Sequence, residues 1–254
     1  MGAFYSFAAR LFEVGFRVTG IERHVDGVAN IPADGPAIVA SNHVGYLDFC
    51  FVMLGPPRPR REMAFLAKAE LFERRLVGTA LHALGQIPVD VHGDPTAAML
   101  HAAELLEAGG VVGLHPEGTI NPAFLPMRGR SGAVRLARTT GAPIVPTAVW
   151  GSQRLLTKWR PASWPARGIP VRVRYGAPYH PTEGSPAEAT RELMSRIGVL
   201  VDELIAEEAA PQGAWWVPAE RGGGAPREEE VRARLEAQRD ERRARRLGTE
   251  DPSA

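Results

Sequence analysis

"DPTAAMLHAAELLEAGGVVGLHPEGT", Asp94 to Thr119, holds a helix, a strand and a polar turn in immediate succession. Asp94 is an N-cap residue type, Pro95 suits the first helical position, and Gly109 stands just past the end, so a helix is predicted between them. "GVVGLH" then reads as a short apolar strand that Pro116 stops. A helix feeding directly into a buried strand is the repeating step of α/β folds.

The same alternation extends in both directions. "RVTGIE", "AIVAS" (Ala37 to Ser41), "EMAFLAK" and "QIPVDV" are strand candidates ahead of it, and "APIVPTAVW" and "IPVRVRYG" follow. "SPAEATRELMSRIGVLVDELIAEE" opens with Ser185, Pro186 and Glu188 in capping-box positions. Leu193, Met194, Ile197, Leu200, Val201, Leu204 and Ile205 make one apolar stripe along it. The expected architecture is a single α/β domain over residues 18–208, with a largely parallel or mixed central sheet flanked by helices.

Two segments flank that body. In residues 1–17, Ser6, Arg10, Glu13 and Arg17 share one narrow helical face, and Phe4, Tyr5, Phe7, Ala8, Leu11, Phe12, Val14 and Phe16 fill a wide arc opposite. Such an amphipathic helix either docks on its own core or lies in a bilayer interface. Residues 209–254 begin as a Gly/Pro linker, "PQGAWWVPAERGGGAP". Its Trp215 and Trp216 either pack on the body or touch lipid headgroups. "REEEVRARLEAQRDERRARR" has acid-base pairs at helix spacing, such as Glu228 with Arg232, and reads as a solvated helix or disordered tail.

Composition narrows the function classes. The chain has 254 residues, 44% of them hydrophobic, enough for a substantial core. A net charge of +1 gives no reason to expect nucleic acid. The lone cysteine, Cys50, excludes an internal disulfide and a cysteine metal site, and fits a reducing cytosol. The histidines show no metal-ligand spacing. No run of eighteen apolar residues provides a spanning helix.

In open α/β sheets, ligands gather beyond the carboxyl ends of the strands. Two polar clusters stand at such ends. In "NHVGYLD", His43 precedes Asp48 by five positions. On one continuous helix the two would point apart, but a turn through Gly45 lets the carboxylate fold back on the imidazole. It would then hold the tautomer that leaves Nε2 free to accept a proton. No hydroxyl nucleophile accompanies them: "GRSGA" places Ala133 where the G-x-S-x-G elbow needs glycine. The pair alone fits either a substrate hydroxyl as nucleophile or a histidine satisfying buried backbone. In "HPEGT", Glu117 sets a carboxylate at the rim, Gly118 allows close approach and Thr119 adds a donor. Arg128 and Arg130 follow as guanidinium forks suited to phosphate. Backbone N–H groups after the H-x4-D turn, or near Gly118, are candidates to hold an oxyanion.

In order and spacing, "GIERHVDGVANIPADGPAIVASNHVGYLD", "FLAKAELFERRLVGTALHALGQIPVD", "VVGLHPEGT", "RGRSGAVRLARTTGAPIVPTAVWGSQRL" and "VRVRYGAP" resemble the glycerolipid acyltransferases, specifically the bacterial 1-acylglycerol-3-phosphate type. The likeness runs from about Val18 to Tyr179. It implies acyl transfer from acyl-CoA or acyl carrier protein to a glycerolipid hydroxyl, giving phosphatidate when the acceptor is 1-acylglycerol-3-phosphate. His43 is then general base and Asp48 its orienting partner, while Asn42, Lys68, Glu117, Gly118, Thr119, Arg128 and Arg130 bind substrate. No metal or cofactor is implied beyond the acyl-carrying co-substrate. The protein is expected to be peripheral or monotopic on the cytoplasmic face of the membrane. Three departures stand out: Val91 and Ile120 occupy positions where the family usually has arginine, and His115 one where it often has phenylalanine. A less anionic lysolipid or glycolipid acceptor, or thioesterase chemistry on water, are the alternative readings.

Overall fold

A computed structural model describes residues 2–54, 61–90, 93–162 and 168–246; Val91 lies outside the described residues. The amino-terminal half contains α1 (Gly2–Thr19), β1 (Glu22–Asp26), β2 (Ala37–Ser41), α2 (Asp48–Met53), β3 (Met63–Lys68), α3 (Ala69–Phe72), α4 (Arg75–Ala83) and β4 (Ile87–Val89). There follow α5 (Thr96–Glu107), β5 (Val111–Leu114), α6 (Gly132–Thr140), β6 (Ile144–Trp150), β7 (Pro170–Tyr175), α7 (Pro186–Ala206) and α8 (Glu228–Arg246).

The strands form one sheet in the order β1-β7-β6-β2-β5-β3-β4. The five from β4 to β6 in that row run parallel; β7 is antiparallel to β6, and β1 runs with β7. The sheet is therefore mixed, with helices on its faces. Every residue of β2 and β6 is buried, which is why both read as unbroken apolar runs instead of alternating patterns. In β7 only Val171, Val173 and Tyr175 turn inward, alternating with half-buried Pro170, Arg172 and Arg174.

Local chemistry fixes the helix ends. Asp94 Oδ1 accepts the Thr96 N–H at 2.9 Å, but Asp94 stands two residues ahead of α5 and Pro95, expected at the first helical position, is the N-cap instead, so the helix starts one residue later than its cap residues suggest. At the other end the Gly109 N–H reaches Leu106 O and the Gly110 N–H reaches Leu105 O, both at 2.8 Å, the paired closure that a left-handed Gly109 (φ 81°) permits. In α7, Ser185 and Glu188 make both bonds of the capping box, and the stripe from Leu193 to Leu204 packs mainly on β6.

Three expectations change. "RVTGIE" is not one strand: α1 continues through Thr19, Gly20 (φ 68°) closes it, and β1 begins at Glu22. The Gly20 and Ile21 N–H groups cap the carbonyls of Arg17 and Phe16, so the helix end overrides the strand preference of Val18 and Thr19. Of the two readings of α1, docking on its own core is the one the structure shows. Tyr5, Ala8, Ala9 and Phe16 are buried, and Phe16 stacks on Phe51 at 4.6 Å. A separate stripe of Phe4, Phe7, Leu11, Val14 and Val18 remains exposed, from 43% to 76%.

The carboxyl-terminal segment is built rather than loose. Trp215 meets Phe124 edge-on at 6.3 Å and Arg154 lies over Trp216 at 4.3 Å, so the tryptophan pair packs on the body. The glycine run is a close-packed turn: a Cβ on Gly223 would stand 2.0 Å from Val217 O. Helix α8 lies against the body through Val231 (2% exposed) and Leu235 (6%), which cluster with Ala123, Met127 and Trp159, and Arg234 covers the Trp159 ring at 4.1 Å.

Candidate active site

Because β2 lies between β5 and β6, the loops leaving their carboxyl ends meet at one edge of the sheet. From β2 comes Asn42 to Leu47, from β5 the turn His115 to Thr119, and from β6 the loop Gly151 to Lys158.

His43 Nδ1 lies 2.9 Å from Asp48 Oδ2. An ionised carboxylate only accepts, so Nδ1 carries the proton and Nε2 keeps its lone pair. The reversal that brings them together is stapled by Asp48 itself, whose Oδ2 also accepts the Val44 and Gly45 N–H groups at 2.7 and 2.8 Å. Its other oxygen accepts the Ser152 hydroxyl. Asp48 is fully buried, while the His43 side chain keeps 20% exposure. The β6 loop buttresses the turn: Thr157 Oγ1 donates to Val44 O at 2.6 Å and the Tyr46 N–H to Leu156 O at 2.9 Å. Here glycine is needed for room, since a Cβ on Gly45 would stand 3.0 Å from Leu156 O.

The second turn fastens the backbone of His43 at both ends. Its N–H donates to Glu117 Oε1 at 3.0 Å, and its carbonyl accepts the Asn121 N–H at 2.9 Å. Glu117 Oε2 accepts the Met127 N–H at 3.4 Å. Burial pushes the Glu117 carboxyl well above the usual range, opposed by these two backbone bonds, and Asp48 nearby adds to the rise. His115 stacks on His43 with centroids 4.1 Å apart and planes within 2°, and Phe65 lies behind His115 at 5.3 Å. Its Nδ1 sits 3.1 Å from Asn42 O and 3.0 Å from Ser41 Oγ. Burial first, then the neighbouring His43 ring, pushes the His115 imidazole down to about 3, so this ring stays uncharged.

The residues expected to bind substrate divide into groups. Asn42 is fully buried, with Nδ2 on Val149 O at 3.0 Å and Oδ1 on the Val149 N–H at 2.8 Å, a brace between β2 and β6. Glu117 is 3% exposed and serves the framework just described. Lys68, Gly118, Thr119 and Arg130 share a cleft with Lys158, whose Nζ donates to Thr119 Oγ1 at 3.0 Å. Gly118 is left-handed (φ 67°) and so close beneath Arg130 that a Cβ would stand 3.0 Å from Nε. Arg128 is exposed and does not line this cleft, and Ile120 is buried. The amides inside the turn, those of His43, Val44, Gly45 and Tyr46, are committed as above; of the amides expected to hold an oxyanion, those of Asp48 and Cys50 at the start of α2 donate to Gly45 O and Leu47 O, and that of Gly118 to His115 O. Cys50 is buried and burial pushes its thiol up, so it is no nucleophile.

Ser152, Asn121 and Thr157 escaped the sequence reading. Ser152 alone left a trace, a hydroxyl two residues past the apolar run Ile144–Trp150, at a strand's carboxyl end.

The chain has known relatives. Residues 22–150 match the family model described as Acyltransferase. The chain is 31% identical over 147 residues to the 1-acyl-sn-glycerol-3-phosphate acyltransferase of Bacillus subtilis (strain 168), covering 58% of this chain and 71% of that protein. It is 32% identical over 182 residues to an uncharacterized protein of Mycobacterium tuberculosis (strain ATCC 25618 / H37Rv), covering 67% of this chain but only 46% of that one. The crystal structure of PlsC from Thermotoga maritima, titled a 1-acyl-sn-glycerophosphate acyltransferase, superposes with a TM-score of 0.69 at 24% identity over 81% of each chain, a likeness of fold.

Proposed function

The chain belongs to the acyltransferase family and is an O-acyltransferase of glycerolipids, and from that premise we propose that it acylates the free hydroxyl of 1-acylglycerol-3-phosphate, with His43 as general base. The observation that carries the assignment is the bond from His43 Nδ1 to a carboxylate held by three further donors, with no side-chain hydroxyl or thiol among the described residues hydrogen-bonded to His43 Nε2. The attacking oxygen therefore comes from the substrate.

In this reading Nε2 takes the acceptor's hydroxyl proton as its oxygen bonds to the thioester carbonyl carbon. The tetrahedral species collapses, the carbon–sulfur bond breaks, and the imidazolium returns its proton to the departing thiolate. Asp48 stabilises the imidazolium between these events. General-base assistance is worth about 10²- to 10⁴-fold, and alignment of the two substrates roughly 7 to 11 kcal/mol. Acyl-CoA or acyl carrier protein is the donor, and Lys68, Arg130 and Lys158 beside Thr119 favour an anionic acceptor.

No helix among the described residues is long and apolar enough to cross a membrane. The exposed stripe of α1 is the surface we assign to a bilayer interface. Seating five half-exposed apolar side chains yields roughly 5 kcal/mol, the scale of reversible peripheral binding.

The test is acyl transfer from labelled acyl-CoA to lysophosphatidate. His43→Ala should abolish product in a folded protein, and retained activity removes His43 as base. Thiol release that proceeds at full rate without an acceptor would make the protein a thioesterase instead.

A further inference from the structure

Helix α8 crosses the cleft that holds the basic residues. At about 100° per residue, Val231, Leu235, Gln238 and Arg239 fall on one side of the helix. The first two are buried against Ala123, Met127 and Trp159, which seats the helix, and this carries the other two over the polar turn that follows β5. There Gln238 and Arg239 face Lys68, Thr119, Arg130 and Lys158 across one cleft. Gln238 also lines the cleft; its Oε1 is buried without a hydrogen-bonding partner, but as an acceptor it does not bond a phosphate oxygen, so the anion-binding groups here are the cations. Glu236 and Asp240 are exposed and fall on the side turned away. The cleft thus gathers four cationic side chains and an amide. It lies one residue from Glu117, whose carboxylate holds the His43 backbone.

A convergence of ammonium and guanidinium groups around a glycine with its Cβ space filled by Arg130 suits a phosphomonoester, which has oxygens enough for several donors. The helix is anchored for this task by the compact turns of Gly223 and Gly224, whose N–H groups bond Pro218 O and Ala214 O at 3.0 and 2.9 Å. We propose that α8 is a wall of the acceptor site, with Arg239 binding the acceptor's phosphomonoester headgroup together with Lys68, Arg130 and Lys158. This rests on the acyl-acceptor reading above for its ligand, and on the cleft alone for its anion binding.

The experiment measures binding apart from turnover. Full-length wild type, R239A and R239K are titrated calorimetrically with a short-chain, water-soluble 1-acylglycerol 3-phosphate and with the matching phosphate-free monoacylglycerol. R239A should weaken the phosphomonoester about tenfold, the loss of one charge-assisted hydrogen bond at a partly exposed site. R239K should retain much of the affinity, and monoacylglycerol binding should be the same in all three. Equal phosphomonoester affinity in wild type and R239A overturns the proposal, as does a wild type that does not bind it at all. A wild type that binds it and loses affinity in R239A, yet gives no acyl product, upholds the headgroup site while refuting the reaction.

Discussion

Replacing His115 by phenylalanine isolates the behaviour of the ring stacked on His43. The aromatic face 4.1 Å from His43 is kept, while the bonds from Nδ1 to Asn42 O and Ser41 Oγ are lost. At neutral pH the exchange is near neutral, since a hydrogen bond and an added apolar ring are each worth about 1 kcal/mol. Acid separates the two proteins. The folded imidazole titrates at about 3 and the unfolded one at 6.5, so as pH falls below 6.5 the unfolded chain takes a proton that the folded chain refuses. The wild type then loses up to about 1.4 kcal/mol per pH unit through this group, and the variant loses none. The other ionisable groups are common to both proteins and largely cancel in the difference. Urea denaturation from pH 7 to pH 4 should show the variant gaining about 2 to 4 kcal/mol on the wild type. Parallel curves over that range would refute the reasoning. A fall in kcat beyond about a hundredfold in a folded variant would show that His115 itself moves a proton.

Glu117→Gln runs in the opposite direction. A carboxyl raised above 4.5 in the fold contributes stability that is complete below that value and is lost as pH rises through the folded value, so the wild type should weaken relative to the variant from pH 5 to pH 8. A gap that stays constant in denaturation at both pH values refutes it. Ser152→Ala leaves Asp48 Oδ1 without its hydroxyl donor, and should cost about 1.5 to 3 kcal/mol in stability and about tenfold in kcat with KM unchanged. A change confined to KM would place Ser152 on the substrate. Phe7→Glu with Leu11→Glu, both more than 60% exposed, should leave thermal stability within about 1 kcal/mol but reduce flotation with anionic liposomes at least tenfold. Undiminished flotation removes α1 as the contact surface.

The sequence disclosed what is local. Six strand positions, the capping box at Ser185 and the five-residue return from His43 to Asp48 follow from apolar runs, cap residues and one glycine turn, whereas β1 begins only where the predicted "RVTGIE" ends. Strand order is not local, and the misjudged residues depend on it. Asn42 looks like a substrate contact until β6 is known to lie beside β2, where Val149 takes both ends of its amide. Ser152 reaches Asp48 across 104 positions for the same reason. Helix α8 was obscured by its charge, because Val231 and Leu235 are too few to mark an apolar stripe, yet two side chains suffice where Trp159 and Met127 wait to receive them. His115 was visible only as a departure; the face-to-face rings required coordinates.

One contact ties the outermost helix to the chemistry. Phe16, near the end of α1, lies flat on Phe51, and Phe51 is one turn beyond Asp48 in α2. Whatever plane the first helix rests upon, the His43–Asp48 turn stands at a fixed elevation above it, as a tool does on a levelled bench. Under the proposed reaction, a hydroxyl on a long hydrocarbon tail would need to rise only by that one set height, the same for every molecule in a leaflet beneath it.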